Sequence, residues 1–282
     1  MRTCWINGAY IPEAEATVSI FDRGVLFGDG VYEVAAVYQG RLLDADRHLV
    51  RLARSLREIG LADTIGAAAW LEVMQALATR NGITEGLVYL QVTRGVAERD
   101  FVFPAGATPT AFAYARPKRL TDDPNAGGVS VHVTPDLRWA RRDVKSVSLL
   151  AQVLAKEAAK GAGCFEAMMH EEGVVTEGGS SNLWIVADGV VQTRPLSSLL
   201  LAGITRDVVL ELAGSAGLVV KERAFTVAQA QAASECFLTS ATNFVLPIVA
   251  IDGHPVGDGA PGPVTRRLRD GYLARARALT GG

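Results

Sequence analysis

The run Arg138-Trp139-Ala140-Arg141-Arg142-Asp143-Val144-Lys145-Ser146, joined further along the chain by Thr176-Glu177-Gly178-Gly179-Ser180-Ser181-Asn182, decides how the rest is read. It sets one lysine after three arginines, then a carboxylate, then a Gly/Ser turn. A lysine works as a nucleophile only when its ammonium is destabilised, and like-charge repulsion from Arg138, Arg141 and Arg142 is one way to do that. Lys145 is on this reading a candidate carbonyl-binding amine. A blander reading stands beside it: a basic run is ordinarily a solvated patch, and an acid ahead of Gly-Gly-Ser-Ser is ordinarily a turn.

Composition narrows the choice. At 282 residues the chain has room for two domains, and 49% hydrophobic with 21% charged residues describes a folded globular protein. A net charge of -2 gives no electrostatic reason to bind nucleic acid or an acidic membrane, so small metabolites are the expected partners. Cys4, Cys164 and Cys236 are odd in number and lack a C-x-x-C, which argues against a disulfide framework and for a reducing cytoplasm. The start of the chain has no signal-peptide layout, and no apolar run is long enough to span a bilayer. The four histidines are scattered without ligand spacing, so no metal is expected.

Asn7-Gly8, Gln39-Gly40, Asp188-Gly189 and Asp252-Gly253 are tight-turn dipeptides and predict a good deal of antiparallel sheet. A core strand is expected over Val31 to Val37, with Tyr32 on one face. Apolar residues at helical spacing predict a helix from Asp44 to Gly60, carrying Arg47, Arg51 and Arg54, and a second from about Ala67 to Arg80. A strand over Gly86 to Thr93 leads into a long polar loop that contains Arg99 and Phe101. Pro, Lys, Asp and Asn between Arg116 and Asn125 read as an interdomain linker, which gives domains of 1-118 and 119-282 with the linker at 119-125. Beyond it come a strand at Val129 to Val133 and a helix at Ser148 to Gly163. Short strands follow, with Glu177 between two of them, then a helix from Arg206 to Ala216 with Thr205 at its N-cap, and a basic tail helix from Val264 to Leu279.

The residues Arg142-Asp143-Val144-Lys145-Ser146, Phe165-Glu166-Ala167, Val175-Thr176-Glu177-Gly178, Ser180-Ser181-Asn182 and Leu201-Ala202-Gly203-Ile204-Thr205-Arg206 resemble the fold-type IV pyridoxal phosphate enzymes, or class IV aminotransferases. Within them the chain looks most like the D-amino acid transaminases. The resemblance runs in order over nearly the whole chain. It implies an α+β fold of two domains, a small N-terminal one and a larger one on a bent, barrel-like sheet, and a homodimer.

It also implies roles. Lys145 would bond pyridoxal 5'-phosphate, and Glu177 would keep its ring nitrogen protonated. Arg51, in His48-Leu49-Val50-Arg51-Leu52, resembles the arginine that holds the cofactor phosphate, which suits a guanidinium fork. Ile204 and Thr205 at a helix start, with Ser240, Ala241 and Thr242, resemble the remaining phosphate contacts. Ser180, Ser181 and Asn182 belong with the same cofactor set, and Tyr32 resembles the tyrosine that lines the substrate pocket. Arg99 stands where the D-amino acid branch has an arginine for the substrate carboxylate, but Phe101 occupies the place of that branch's histidine and cannot donate a hydrogen bond. The implied reaction moves an amino group from a D-amino acid such as D-alanine to 2-oxoglutarate or pyruvate. Branched-chain L-amino acid transamination, R-amine transamination and aminodeoxychorismate lyase chemistry stay open as alternatives.

Overall fold

The structure, a computed structural model, describes residues 2–121 and 126–281, so part of the expected linker, residues 122–125, lies outside the described residues. The chain divides into two compact units. The first comprises Met1–Arg119 with Val144–Ser148 and Leu279–Gly282, and the second Leu120–Asp143 with Leu149–Ala278. The lysine segment therefore groups with the first unit, although the chain reaches it from the second.

The first unit is built on a six-stranded antiparallel sheet made of β1 (Thr3–Ile6), β2 (Ala9–Pro12), β3 (Gly30–Tyr38), β4 (Arg41–Leu42), β5 (Glu85–Thr93) and β6 (Thr110–Pro117), in the order β2-β1-β6-β5-β3-β4. The short helix α1 (Arg23–Phe27) precedes β3, while α2 (Ala45–Glu58) and α3 (Ala67–Arg80) cover one face. Leu49, Leu52 and Leu56 recur at helical spacing along α2 and pack with Trp70, Met74 and Leu77 of α3 and with Val31, Ala35 and Val37 of β3. Because strand side chains alternate, the odd-numbered positions of β3 face this core. Glu33 is one of them and is fully buried, whereas Tyr32 belongs to the other face.

The second unit carries a nine-stranded mixed sheet. Its strands are β7 (Val129–Pro135), β8 (Glu166–Glu171), β9 (Val174–Gly178), β10 (Asn182–Ala187), β11 (Val190–Thr193), β12 (Val219–Glu222), β13 (Glu235–Ser240), β14 (Phe244–Ile251) and β15 (His254–Pro255). They run in the order β12-β11-β10-β13-β14-β7-β8-β9, with β15 on β14. The pairs β11-β12, β14-β7 and β7-β8 are parallel. Four helices accompany them: α4 (Leu150–Gly161), α5 (Ile204–Ser215), α6 (Val227–Gln231) and α7 (Pro263–Thr280). Leu183, Ile185, Leu238, Leu246 and Ile248 form the centre of its core.

Arg116 and Pro117, ahead of the linker expected at 119-125, close β6, paired with β5 across Leu87↔Arg116 and Gly86↔Pro117. Two local expectations are corrected. Glu177 lies inside β9 rather than between strands. Thr205 is not an N-cap: Gly203 holds that position, no side chain caps α5, and Thr205 is already helical.

Candidate active site

In the first unit the lysine segment runs beside the start of β3. The Tyr32 amide donates to the Lys145 carbonyl at 3.0 Å, the Val147 amide donates to the Gly30 carbonyl at 3.0 Å, and Val31 and Ser146 form an antiparallel bridge. Ser55 of α2 accepts from the Lys145 amide at 3.3 Å. These backbone bonds fix where the lysine side chain starts. Its Nζ lies 4.3 Å from the centroid of the Tyr32 ring, which stacks in turn on Tyr89 at 5.5 Å.

The cationic setting expected to destabilise this lysine is not what the arginines provide. Arg138 pairs with Asp136 and Glu177, Arg141 with Asp143, and Arg142 with Asp136 and Glu171. Each guanidinium is matched by an acid; for the buried guanidiniums of Arg138 and Arg142 this follows because burying an unpaired charge is far costlier than burying a pair. What the structure places at Lys145 Nζ is the face of Tyr32.

Arg51 lies at the buried face of α2. Its Nε donates to Glu33 Oε1 at 2.7 Å and its Nη2 to Glu33 Oε2 at 2.9 Å, and His48 Nδ1 lies 2.8 Å from the same Oε2. Burial alone would push the Glu33 carboxyl up, but the Arg51 charge and the hydrogen bonds from Arg51 and His48 hold it well below the usual carboxylate range. This fork fixes the plane of the Arg51 guanidinium. Sequence reading passed over Glu33, since an acid at a core position of a strand carries no motif.

Arg99 is exposed in the loop after β5, with its guanidinium 5.4 Å from the Phe27 ring centroid and 5.6 Å from that of Phe101. The two rings lie 5.5 Å apart and tilted. Phe101, where a hydrogen-bond donor was expected from the resemblance, thus offers Arg99 an aromatic face.

In the second unit Glu177 is buried within β9. It accepts from Arg138 Nη1, from Asn182 Nδ2 at 3.2 Å and from the Leu201 amide at 3.3 Å. Burial raises its pKa, and the Arg138 charge works against that rise. Asp136 receives Arg138 Nε at 3.0 Å, Arg138 Nη2 at 2.7 Å and the Thr176 hydroxyl at 2.6 Å. Burial would raise the Asp136 pKa, but the bonds from Arg138 and Thr176 outweigh it and lower the pKa. Within this connected cluster the acids Asp136, Glu171 and Glu177 face the guanidiniums of Arg138 and Arg142. One negative charge is left over, which suits a further cation at Glu177 such as a protonated ring nitrogen.

Asn182 ties this carboxylate to the start of α5. Its Nδ2 donates to Glu177 Oε2 and to the Leu201 carbonyl at 3.0 Å, and a Cβ added at Gly203 would run into its Oδ1. A larger residue there would have to push the Asn182 amide aside. The first turn of α5 keeps amides that no side chain caps, at the positive end of a helix dipole, and Thr205 stands among them 3% exposed. Such a turn binds phosphate groups readily.

The remaining expected residues sit as follows. Ser180 Oγ donates to the buried Glu166 at 3.0 Å and Ser181 Oγ to the same carboxylate at 3.4 Å, so both hydroxyls are turned to an acid that the resemblance included but to which no role had been given. Lys156 Nζ completes that cluster, 3.2 Å from Glu166. Ser240 ends β13, where its Oγ accepts from the Asn243 amide at 3.2 Å, and Ala241 and Thr242 occupy the turn into β14.

Comparison with known proteins bears on the family. The profile of the family described as amino-transferase class IV matches residues 30–251. The chain is 40% identical over 273 residues to a D-alanine aminotransferase of Staphylococcus aureus, covering 96% of this chain and 97% of that protein. It is 41% identical over 263 residues to a D-alanine aminotransferase of Bacillus licheniformis, covering 93% of each. Among solved structures, the branched-chain aminotransferase of the thermophilic archaeon Thermoproteus uzoniensis with norvaline superposes with a TM-score of 0.87 at 27% identity, covering 99% of this chain and 95% of that one.

Proposed function

Because the chain belongs to the class IV aminotransferases, we propose that it is a pyridoxal phosphate-dependent transaminase that moves an amino group from a D-amino acid such as D-alanine to 2-oxoglutarate or pyruvate. The observation that carries this reading is the 40% identity to D-alanine aminotransferase over nearly all of both chains. The reading is supported by the buried Glu177 with one negative charge unmatched around it and by the uncapped first turn of α5, which would suit the ring nitrogen and the phosphate of the cofactor.

Bound pyridoxal phosphate supplies an aldehyde that takes up the amino group and a protonated ring that accepts the electrons left when the α-proton departs. Lys145 would hold the cofactor through its Nζ, and that amine is the group placed to carry the substrate's α-proton as general base and general acid. Glu177, as a carboxylate, would accept a hydrogen bond from the protonated ring nitrogen and so keep it protonated. The Ile204 and Thr205 amides, with Arg51 and the Ser240 to Thr242 turn, take the phosphate. Ser180 and Ser181, through Glu166, and Asn182, through Glu177 and Leu201, shape the cofactor's surroundings. Tyr32 faces the reacting amine, and Arg99 takes the substrate carboxylate.

The proposal includes a homodimer in the cytoplasm. It is supported by the exposed Ile20, Phe21, Val25, Phe101, Val102 and Phe103 of the first unit and by the three free cysteines. Sedimentation at micromolar concentration tests the dimer.

The activity is tested with matched donors. Purified protein loaded with pyridoxal phosphate is given D-alanine, L-leucine or R-phenylethylamine with 2-oxoglutarate. D-alanine is expected to be the best donor by at least about tenfold, since handedness is read by placement of the carboxylate. Preference for L-leucine would move the chain to the branched-chain type, and preference for R-phenylethylamine would show that Arg99 grips no carboxylate. Pyruvate released without an oxo acid from an aminodeoxychorismate donor would favour a lyase.

A further inference from the structure

We propose that Arg138, anchored by Asp136, is a positioning residue that keeps Glu177 ionised and aimed, and so sets how firmly Glu177 holds the cofactor's ring proton. The inference rests on the pyridoxal phosphate reading above. It starts from a chain of contacts inside the second unit that no motif announces.

Arg138 spends its nitrogens on two carboxylates. Nε and Nη2 clasp Asp136 at 3.0 and 2.7 Å, its own amide donates to Asp136 Oδ1 at 3.1 Å, and Nη1 reaches Glu177. The clasp makes the reach rigid, because a planar guanidinium held along one edge has no freedom left along the other. Asp136 is itself held by the Thr176 hydroxyl, and Thr176 is the residue next to Glu177 in β9. The guanidinium is thus braced on the strand that presents its target.

Every group facing Glu177 bears on its charge. Arg138 is the cation in contact with it. Asp136 opposes ionisation through its negative charge, with Arg142 and Glu171 further along the same cluster. Asn182 and the Leu201 amide donate hydrogen bonds, and Arg194 lies against β9 on the Val175 carbonyl. Take away Arg138, and the buried carboxylate keeps two kinds of neutral donor, a net negative neighbourhood and no contacting cation. A carboxylate so placed takes up a proton, and a protonated acid cannot hold a pyridinium.

The test compares wild type with R138M, R138K, D136N and the double variant R138M/E177Q, each as the full chain. In cofactor-free protein, thermal unfolding is followed from pH 5 to 8. A buried acid whose pKa is raised adds stability at low pH and loses it as pH climbs through the folded-state value. The melting deficit of R138M is therefore expected to widen by about 3 °C or more toward pH 8, and adding E177Q should remove the widening. In the loaded enzyme, the acid limb of the kcat profile should move to higher pH by about 1–3 units in R138M. R138K should bring it most of the way back, and D136N should shift it less, in the same direction.

A deficit that stays constant with pH, or that E177Q fails to flatten, overturns the proposal and leaves Arg138 a packing residue. An unmoved acid limb in R138M does the same. If R138M does not fold, R138K and D136N carry the decision by the same two readouts. Failure of the wild-type chain to take up pyridoxal phosphate would instead sink the transaminase reading, whatever the melting curves show.

Discussion

Glu33 and Arg51 are joined through both oxygens of the carboxylate and two nitrogens of the guanidinium, at 2.7 and 2.9 Å, with Glu33 fully out of contact with solvent. A pair buried this deeply contributes little over an apolar pair of the same shape, but breaking it leaves one charge stranded. Glu33→Gln takes the carboxylate charge away from the Arg51 guanidinium and the His48 ring and should cost about 3–5 kcal/mol at pH 7, measured by urea unfolding. The pH dependence follows from the depressed carboxyl. Its stabilisation is complete above the unfolded-state value of about 4.3 and is lost as pH falls through and below it. The gap between wild type and Glu33→Gln should therefore narrow below about pH 4. A gap of equal size at pH 3 and pH 7 would mean that the pair carries no net electrostatic weight.

Lys145 is held from both sides through its own backbone, by Tyr32 and by Ser55, so its replacement should leave the fold intact. Lys145→Ala is expected to lower steady-state transamination at least about 100-fold, the scale of losing a positioned general acid and base. Melting temperature and far-ultraviolet circular dichroism should stay close to wild type. Near-normal turnover in this variant would remove Lys145 from the reaction altogether.

Glu166 gathers Ser180, Ser181, Lys156 and the Ala167 amide, which donates to it at 2.9 Å. Glu166→Ala leaves two hydroxyls and an amide without their acceptor and should cost about 1–3 kcal/mol. Because the affected turn follows Glu177 directly, cofactor retention after dialysis should fall as well. A variant as stable and as coloured as wild type would show that the turn holds itself.

The tight turns were the most legible part of the sequence. Asn7-Gly8, Gln39-Gly40, Asp188-Gly189 and Asp252-Gly253 all have both residues at positive φ, and each joins two antiparallel strands. Glu172-Gly173 makes the same kind of turn between β8 and β9 but was not recognisable, because glutamate seldom takes a left-handed conformation. The helices α2 and α3 were both foreseen, α3 with its observed bounds of Ala67–Arg80 and α2 with ends shifted from Asp44 and Gly60 to Ala45 and Glu58. The arginines after Asp136 misled for a physical reason. A run of like charges shows its cations in sequence, while the acids that answer them, Glu171 and Glu177, reach Arg142 and Arg138 only through the β8-β9 pairing. Glu33 was hidden likewise, in a strand that otherwise reads as core.

Gly203 carries the sharpest steric test. Its backbone is not in a left-handed conformation, so an alanine there is penalised only by what its Cβ meets, and that is first of all Asn182 Oδ1. Gly203→Ala must displace Asn182, which loosens the bonds from Nδ2 to Glu177 and to the Leu201 carbonyl together. A stability loss of about 1–3 kcal/mol is expected from overpacking. The Glu177 carboxylate and the first turn of α5, the two places proposed to hold the cofactor, are disturbed by one methyl group, so pyridoxal phosphate affinity, measured by titration of apoprotein, should weaken by at least about tenfold, equivalent to about 1.4 kcal/mol. Asn182→Gly combined with Gly203→Ala relieves the clash but not the missing donor, and should recover stability while affinity stays low. Recovery of both would show that Asn182 matters to the cofactor only through the space it fills.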